Sequence, residues 1–412
     1  MDSQNPTEKN LYRWFSTSLA FFLHFLSLGF AVFPLQTHLR QIHSAPTASI
    51  LASCVPIAGL LTYFLFGFAE RRQWTRQPVR LLFTAALAAG ILQLLLGWQL
   101  ANTQAGRNLL PSFIETGLCL LMLACAHACC MNLLNHLAVA SLANHAYSAR
   151  AAGSAGYMVA ILATAALLSD EAMVLSYHLF IAAACAIAHI AFVLALVLWA
   201  PAQRRPTNTP QNHAESNRAA NSAYETKAPD NPWTWRWLIL LVGMTSFSEG
   251  AFGLYSHEFL TTTYGDIGYY LFAACILLET LLLVCLPFLP NIRKRLLFVG
   301  PLGWMLLLLG CLIAQAGWPW FGILSLAMAM NCPFQVACYE NAHAIRPQIT
   351  GLAAIALAQT LGIFCSQWTS ALLNRFASSN RLDHPWTNLW SWAWIVSVVG
   401  LALAVLIQKR KH

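Results

Sequence analysis

Long apolar runs alternate with short polar joints along almost the whole chain. Apolar segments suited to helices lie near 15–35, 47–69, 80–103, 109–137, 150–168 and 172–200. They resume near 235–257, 267–289, 296–315, 318–342, 350–373 and 386–407. About 20 apolar residues cross the hydrocarbon of a bilayer as an α-helix. Backbone groups in lipid must be paired internally, so only helices or closed barrels span it, and these runs are too long and continuous for barrel strands. The pattern predicts an all-α polytopic membrane protein with twelve transmembrane helices in two six-helix halves. One stretch breaks the rhythm. Residues 201–232 are rich in Pro, Asn, Ala and Gln with mixed charge, from Arg204-Arg205 to Pro229-Asp230-Asn231. That composition predicts a flexible linker, dividing an N-terminal bundle (1–200) from a C-terminal bundle (233–412).

The positions of the basic residues predict the orientation. With the N-terminus inside, all but Arg40, Arg107, Arg375 and Arg381 of the 23 Lys and Arg fall on inner segments. Such a bias predicts both termini and the linker in the cytoplasm; the absence of eukaryotic targeting features points to the inner (plasma) membrane. The two halves echo one another. Met131-Asn132 in the fourth segment matches Met330-Asn331 in the tenth. Each is followed by a loop with one arginine, Arg150 or Arg346, and then by a small-residue start, Gly153-Ser154-Ala155-Gly156 or Gly351-Leu352-Ala353-Ala354. The second and eighth segments each end in a basic cluster. Two repeated six-helix halves joined by a long cytoplasmic loop describe a major-facilitator transporter.

Composition narrows the class further. Hydrophobic residues make up 58% of the chain and charged residues 9%, with a mean hydropathy of +0.57. Ordinary globular domains carry about 25% charged residues, so an ordinary cytosolic enzyme, a disordered chain and a nucleic-acid-binding protein are excluded. The net charge of +8 belongs to the loops rather than to a nucleic-acid surface. All twelve cysteines fall in apolar stretches and read as small core residues rather than a disulfide framework. The polar, acidic start (Asp2, Glu8) and the full-length first span give no cleavable signal peptide. No Walker loop, dinucleotide glycine fingerprint, nucleophile elbow or loop zinc spacing appears, so no enzyme chemistry, cofactor or metal is expected.

Charges inside the bilayer are the candidates for function, because each is expensive there. Glu279 stands alone in the middle of the eighth segment, within Leu277-Leu278-Glu279-Thr280-Leu281. A carboxyl in that place can exchange a proton or accept substrate hydroxyls; the alternative is a protonated group bonded to a neighbouring helix. Glu249 follows Ser246-Phe247-Ser248 in the seventh segment, beside Gly250 and Gly253. Glu115 reads as interfacial, and Glu258, Asp266 and Glu340 as solvated helix ends. Arg150, Ser154 and Tyr157 lie at i, i+4 and i+7, on one helical face. They either line a cavity for a polar, ring-containing solute or form an inner anchor with a small-residue packing face. Asn331, Phe334, Gln335 and Cys338 share a face beside Pro333, a site for either a gating bend or ordinary interhelical bonds. His24 and His127 fall within the first and fourth segments. Although Cys125-Ala126-His127-Ala128-Cys129-Cys130 has soft ligands, His127 points away from Cys125 and Cys129, so one helix cannot gather them.

These residues resemble the nucleoside:proton symporter family within the major facilitator superfamily. Arg150-Ala151-Ala152-Gly153-Ser154-Ala155-Gly156-Tyr157 is similar to that family's Arg-x-x-Gly-Thr-x-Gly-Phe at the start of its fifth helix. Glu279-Thr280 with Pro287-Phe288-Leu289 resembles its eighth-helix Ser-Glu-Thr segment and trailing Pro-Phe-Phe. The run from Phe334 past Arg346, and the run from Trp386 to the basic tail, extend the likeness. The resemblance implies a monomeric importer of nucleosides, coupled to protons and working by alternating access. It implies that Arg150, Ser154 and Tyr157 line the cavity, that Glu279 meets the ribose hydroxyls and that Phe334 packs near the base. Glu249 or Gly250 takes the place of the family's polar contacts on the seventh helix.

Two departures stand out. The family's acid after the tenth-helix phenylalanine, implicated there in proton coupling, is Gln335 here, and the glutamine preceding its eighth-helix glutamate is Ile276. Either Glu279 or Glu249 replaces the missing acid, or the protein is a facilitator. Two other readings stay open: the same fold carrying a sugar or aromatic acid, and a non-transporting membrane sensor of that fold.

Overall fold

The computed structural model describes residues 6–42, 51, 54–74, 77–104, 113–142, 145–168, 175–199, 232–265, 267–293, 295–315, 331–346, 349–377 and 386–409. The expected linker lies outside these residues, but for Pro232. Among the described residues twelve long helices follow one another: α1 (Pro6–Ile42), α2 (Cys54–Arg71), α3 (Pro78–Gln104), α4 (Phe113–Leu142), α5 (Ala146–Leu168), α6 (Leu175–Trp199), α7 (Pro232–Tyr264), α8 (Ile267–Cys285), α9 (Leu296–Gln315), α10 (Asn331–Ile345), α11 (Ile349–Ala377) and α12 (Thr387–Lys409). No strand occurs among the described residues. Each helix overlaps one of the predicted apolar segments, although the first half of the tenth, 318–330, lies outside the described residues. Over the described residues nine are long and apolar enough to cross a membrane, and α6 adds the shorter apolar stretch Phe180–Leu194.

Several helices outrun their apolar windows. α1 spans 37 residues and α7 spans 33. Hydropathy marks the part that faces lipid, whereas helical backbone bonding continues into polar turns, as at Lys9 and Arg13 in α1. The lipid-facing belt is visible in the exposure of large apolar side chains. Leu61, Phe64, Leu65 and Phe68 of α2, Ile91, Leu95 and Trp98 of α3, and Leu277, Leu281 and Val284 of α8 are all exposed. Contiguous apolar surface on this scale is foreign to a soluble monomer.

The packing repeats itself. α1 crosses α5 and α7 crosses α11; α3 lies on α6 and α9 on α12. Two further pairs, α5 with α8 and α2 with α11, join the first six helices to the last six. The crossings are close because they are built on glycine. A Cβ on Gly156 of α5 would fall onto the carbonyl oxygen of Phe22 in α1, and one on Gly362 of α11 onto the carbonyl oxygen of Gly243 in α7. Without a hydrophobic drive between helices in lipid, small residues that bring backbones together are the main source of packing energy. The last six helices also hold an aromatic core. Trp386 and Trp390 pack with Phe252, Tyr255 and Phe259, and the fully buried Trp390 donates its indole N–H to the Ala251 carbonyl at 2.9 Å.

The two sets of helices meet firmly at the end where α4 turns into α5 and α10 approaches α11. Val139 of α4 packs into the core of the last six helices, and Ile349 and Ala353 of α11 into the core of the first six. Tyr147 and Ala151 of α5 share a cluster with Leu283, Leu286, Leu296, Cys332, Val336 and Ala337.

Candidate functional site

Between the two sets of helices, α5, α7, α8, α9 and α10 bring polar side chains together. Arg150, on the first turns of α5, is almost wholly buried (6% exposed). Its guanidinium lies 3.9 Å from the ring centroid of Phe25 and 5.7 Å from that of Phe21, both on α1. A cation on an aromatic face gains electrostatic attraction that grows as water leaves. One guanidinium nitrogen, Nη1, has no hydrogen-bond partner.

One turn further along α5, buried Ser154 donates its hydroxyl to Oε1 of Glu279 on α8 at 2.7 Å. The other carboxylate oxygen accepts the backbone N–H of Cys332, on α10, at 3.3 Å. Glu279 is therefore held by both sets of helices at once. Helical periodicity placed Arg150, Ser154 and Tyr157 on one face; the structure brings Ser154 to Glu279, while Arg150 lies on Phe25 and Tyr157 against Gly29, both of α1. Arg150 acts electrostatically on both Glu279 and Glu249 without pairing directly with either.

Glu249 of α7 anchors a second group. Its Oε1 accepts Asn331 Nδ2 at 2.8 Å and Gln335 Nε2 at 3.4 Å, both from α10. Asn331 in turn accepts the indole N–H of Trp304, on α9, at 3.2 Å. The donors follow from spacing: Asn331 and Gln335 are four apart, so they stand one above the other and bracket one carboxylate. Glu249 and Glu279 are both partly accessible, although they lie deep within their helices. Tyr157, two turns from Arg150 on α5, is partly buried, with its ring against Gly29 of α1.

Phe334 is placed otherwise. Its ring is 1% exposed and fills the space above Gly300 of α9, where a Cβ would collide with it. Gly300 precedes Pro301, a proline inside α9. In this conformation Phe334 is part of the α9–α10 core rather than a face presented to a cavity.

Several groups escaped sequence reasoning. Trp304 sits in an apolar run with no polar neighbour to signal it. Glu340 was expected as a solvated helix end; instead its Oε2 accepts the hydroxyl of Tyr147 at 2.7 Å, joining α10 to α5. The reason is packing: α5 and α10 converge here, and Tyr147 is fully buried. The rings of His136 (α4) and His343 (α10) meet edge to face, with centroids 6.3 Å apart. His189 of α6 joins His24 and His127 in the first six helices, a meeting of three helices that no single-helix spacing reveals. Among the described residues no three His, Cys, Asp or Glu side chains are arranged to hold a metal ion.

No protein-family profile and no curated protein sequence matches the chain. Solved structures do. A point mutant of the nucleoside transporter NupG superposes with TM-score 0.65 at 14% identity, covering 96% of this chain and 99% of that one. The proton:xylose symporter XylE, bound to 6-bromo-6-deoxy-D-glucose, gives TM-score 0.69 at 16% identity, over 97% of this chain and 96% of that one. The fucose:proton symporter FucP of E. coli gives 0.59 at 14% identity, covering 98% and 99%. The chain has the major-facilitator fold over nearly its whole length.

Proposed function

We propose that this major-facilitator chain is a secondary transporter that imports nucleosides together with protons by alternating access. The observation that carries the reading is the position of Glu279. It is one carboxylate held at once by Ser154 from α5 and by the Cys332 backbone from α10. A substrate hydroxyl that takes Ser154's place, or a proton that neutralises the carboxylate, alters the bond between the two sets of helices. Occupancy and rocking are then the same event. Arg150 supplies positive charge beside the carboxylates, and Glu249 with Asn331, Gln335 and Trp304 supplies a second set of donors and acceptors for a polyhydroxylated solute. The positive-inside pattern of the chain puts the Tyr147–Glu340 contact on the cytoplasmic side. On that reading the described conformation is closed toward the cytoplasm.

A sugar is the second reading, on two specific grounds. XylE superposes with the higher TM-score, and the buried ring of Phe334 offers no flat face for a nucleobase. The site residues under the nucleoside reading are Arg150, Ser154, Tyr157, Glu249, Glu279 and Gln335, with Phe334 serving only if α9 and α10 part during the cycle. Glu279 and Glu249 are the proton-coupling candidates.

The test is uptake of labelled uridine and adenosine by transporter-deficient cells expressing the chain, with and without a protonophore, beside Glu279→Gln. The expected result is accumulation abolished by the protonophore and by the substitution. Accumulation of xylose or glucose but of neither nucleoside would replace the substrate. Uptake that survives the protonophore would remove the proton from the mechanism.

A further inference from the structure

Away from Glu279 and Glu249, the first six helices enclose a polar cluster that the proposed transport site does not use. His24 of α1 lies with its ring centroid 5.3 Å from that of His127 (α4) and 5.6 Å from that of His189 (α6). All three are buried, at 2%, 7% and 2% exposure. Three ring nitrogens are left without a hydrogen-bond partner: His24 Nε2, His127 Nδ1 and His189 Nε2. An unsatisfied buried polar atom carries its desolvation penalty uncompensated, and three of them on neighbouring rings from three helices call for an explanation. A structural role alone would be met more cheaply by apolar side chains.

The surrounding bonds fix part of the protonation pattern. Ser27 donates to the carbonyl of Ala182 at 2.9 Å. Its hydroxyl oxygen therefore accepts from Gln93 Nε2 at 3.0 Å, and the amide's second hydrogen faces His127 Nε2 at 3.1 Å. With Nε2 an acceptor, the proton of neutral His127 sits on Nδ1, the nitrogen without a partner. His24 stands between His127 and His189. A ring nitrogen lies about 1 Å from its centroid, so a small turn brings two such rings into N–H···N distance of about 3 Å.

We propose that His24, His127 and His189 form a proton-binding site in the first six helices, in which one excess proton is shared among the three imidazoles. Among the described residues the charged and titratable groups facing it are few. From α4 and α6 they are the other two histidines, from α3 only the neutral Gln93, and from α5 the guanidinium of Arg150. Arg150 reaches the cluster through one ring: Phe25 meets His24 edge-on at 5.6 Å and carries the guanidinium on its face. A proton on the cluster and the charge of Arg150 repel each other across Phe25. Loading the cluster therefore favours states in which Arg150 is matched by negative charge, as when it is drawn toward Glu279. The proton is thus sensed at the cavity without entering it.

The site rests on the transport reading for its purpose but not for its existence, and the experiment separates the two. In the full chain reconstituted in lipid nanodiscs, the 15N signals of the histidine rings are followed from pH 8 to pH 5. A charged imidazole population appears that is lost together in each of His24→Gln, His127→Gln and His189→Gln. The other ten histidines of the chain titrate in every variant and serve as the reference; a set of charged signals that is the same in the unaltered chain and in all three variants, apart from the substituted ring, overturns the site. In cells, the second readout is the ratio of uridine uptake at pH 5.5 to that at pH 7.5, normalised to protein in the membrane. One coupled proton changes an equilibrium by up to about tenfold per pH unit, and each substitution lowers the ratio by at least about threefold. A purely structural cluster would lower uptake equally at both pH values and leave the ratio intact, which also overturns the proposal. Should the unaltered chain transport no nucleoside, the transport reading fails, and the ring signals alone decide the site.

Discussion

The hydroxyl of Tyr147 on α5 bonds to Oε2 of Glu340 on α10 at 2.7 Å, closing one end of the seam between the two sets of helices. A hydrogen bond to a charged group contributes about 1.5–3 kcal/mol. Tyr147→Phe removes that bond and leaves the ring's packing. The expected outcome is a shift of about tenfold or more toward conformations open at this end. Spin labels on the exposed Ser141 (α4) and Ala344 (α10) should report a longer distance in the variant, and an unchanged distribution would show that apolar packing alone holds the end shut.

Asn331 is the closest donor to Glu249, and Trp304 holds Asn331. Asn331→Ala leaves the carboxylate with only the longer Gln335 bond. Uptake should fall by about tenfold or more, the equivalent of about 1.4 kcal/mol or above. Trp304→Phe, which keeps the ring but loses the N–H, should cost less. Equal losses from the two substitutions would mean that Trp304 acts through something other than Asn331.

Phe334 separates packing from recognition. Its ring fills the space over Gly300, so Phe334→Ala opens a cavity and should destabilise the protein by about 3–5 kcal/mol. The matching measurement is thermal unfolding in detergent by size-exclusion loss. A KM that rises with unfolding temperature unchanged would instead put the ring against the substrate.

Gly156 tolerates no side chain against the Phe22 carbonyl, whereas nothing lies within 4 Å of a Cβ at Gly67. Gly156→Leu should abolish folded protein in the membrane, and Gly67→Ala should be neutral. Fluorescence-detected chromatography of both variants checks this pair.

Twelve helices and their order were legible because the lipid imposes a length and polarity on each crossing, which nine of the helices meet outright over the described residues. The Arg150–Ser154 face was legible because helical spacing is a local property. What spacing could not say is which residue of another helix that face would meet. Glu279 stood out only as a lone charge until α8 was placed beside α5. The histidines show the same limit. His24 and His127 stood out only as separate polar positions in two segments, and His189 drew no notice, because the cluster exists only where α1, α4 and α6 meet. Glu340 misled in the opposite sense. It lies near the end of an apolar run, where water is the ordinary neighbour, yet a tyrosine from α5 reaches it first. Phe334 was expected, by resemblance, to pack near a base; in this conformation its ring fills a slot over Gly300, a neighbour on another helix that spacing could not supply.

The glycine crossings also decide how the molecule can move. Where Gly156 meets Phe22 and Gly362 meets Gly243, main chain rests on main chain, with no layer of pliable side chains between them to slide or repack. α1 and α5 are thereby locked as one lever, and α7 and α11 as another. A change of shape then falls on the seams between the two sets, of which α5 with α8 and α2 with α11 are the most extensive, and the Ser154–Glu279 bond stands on the first of these.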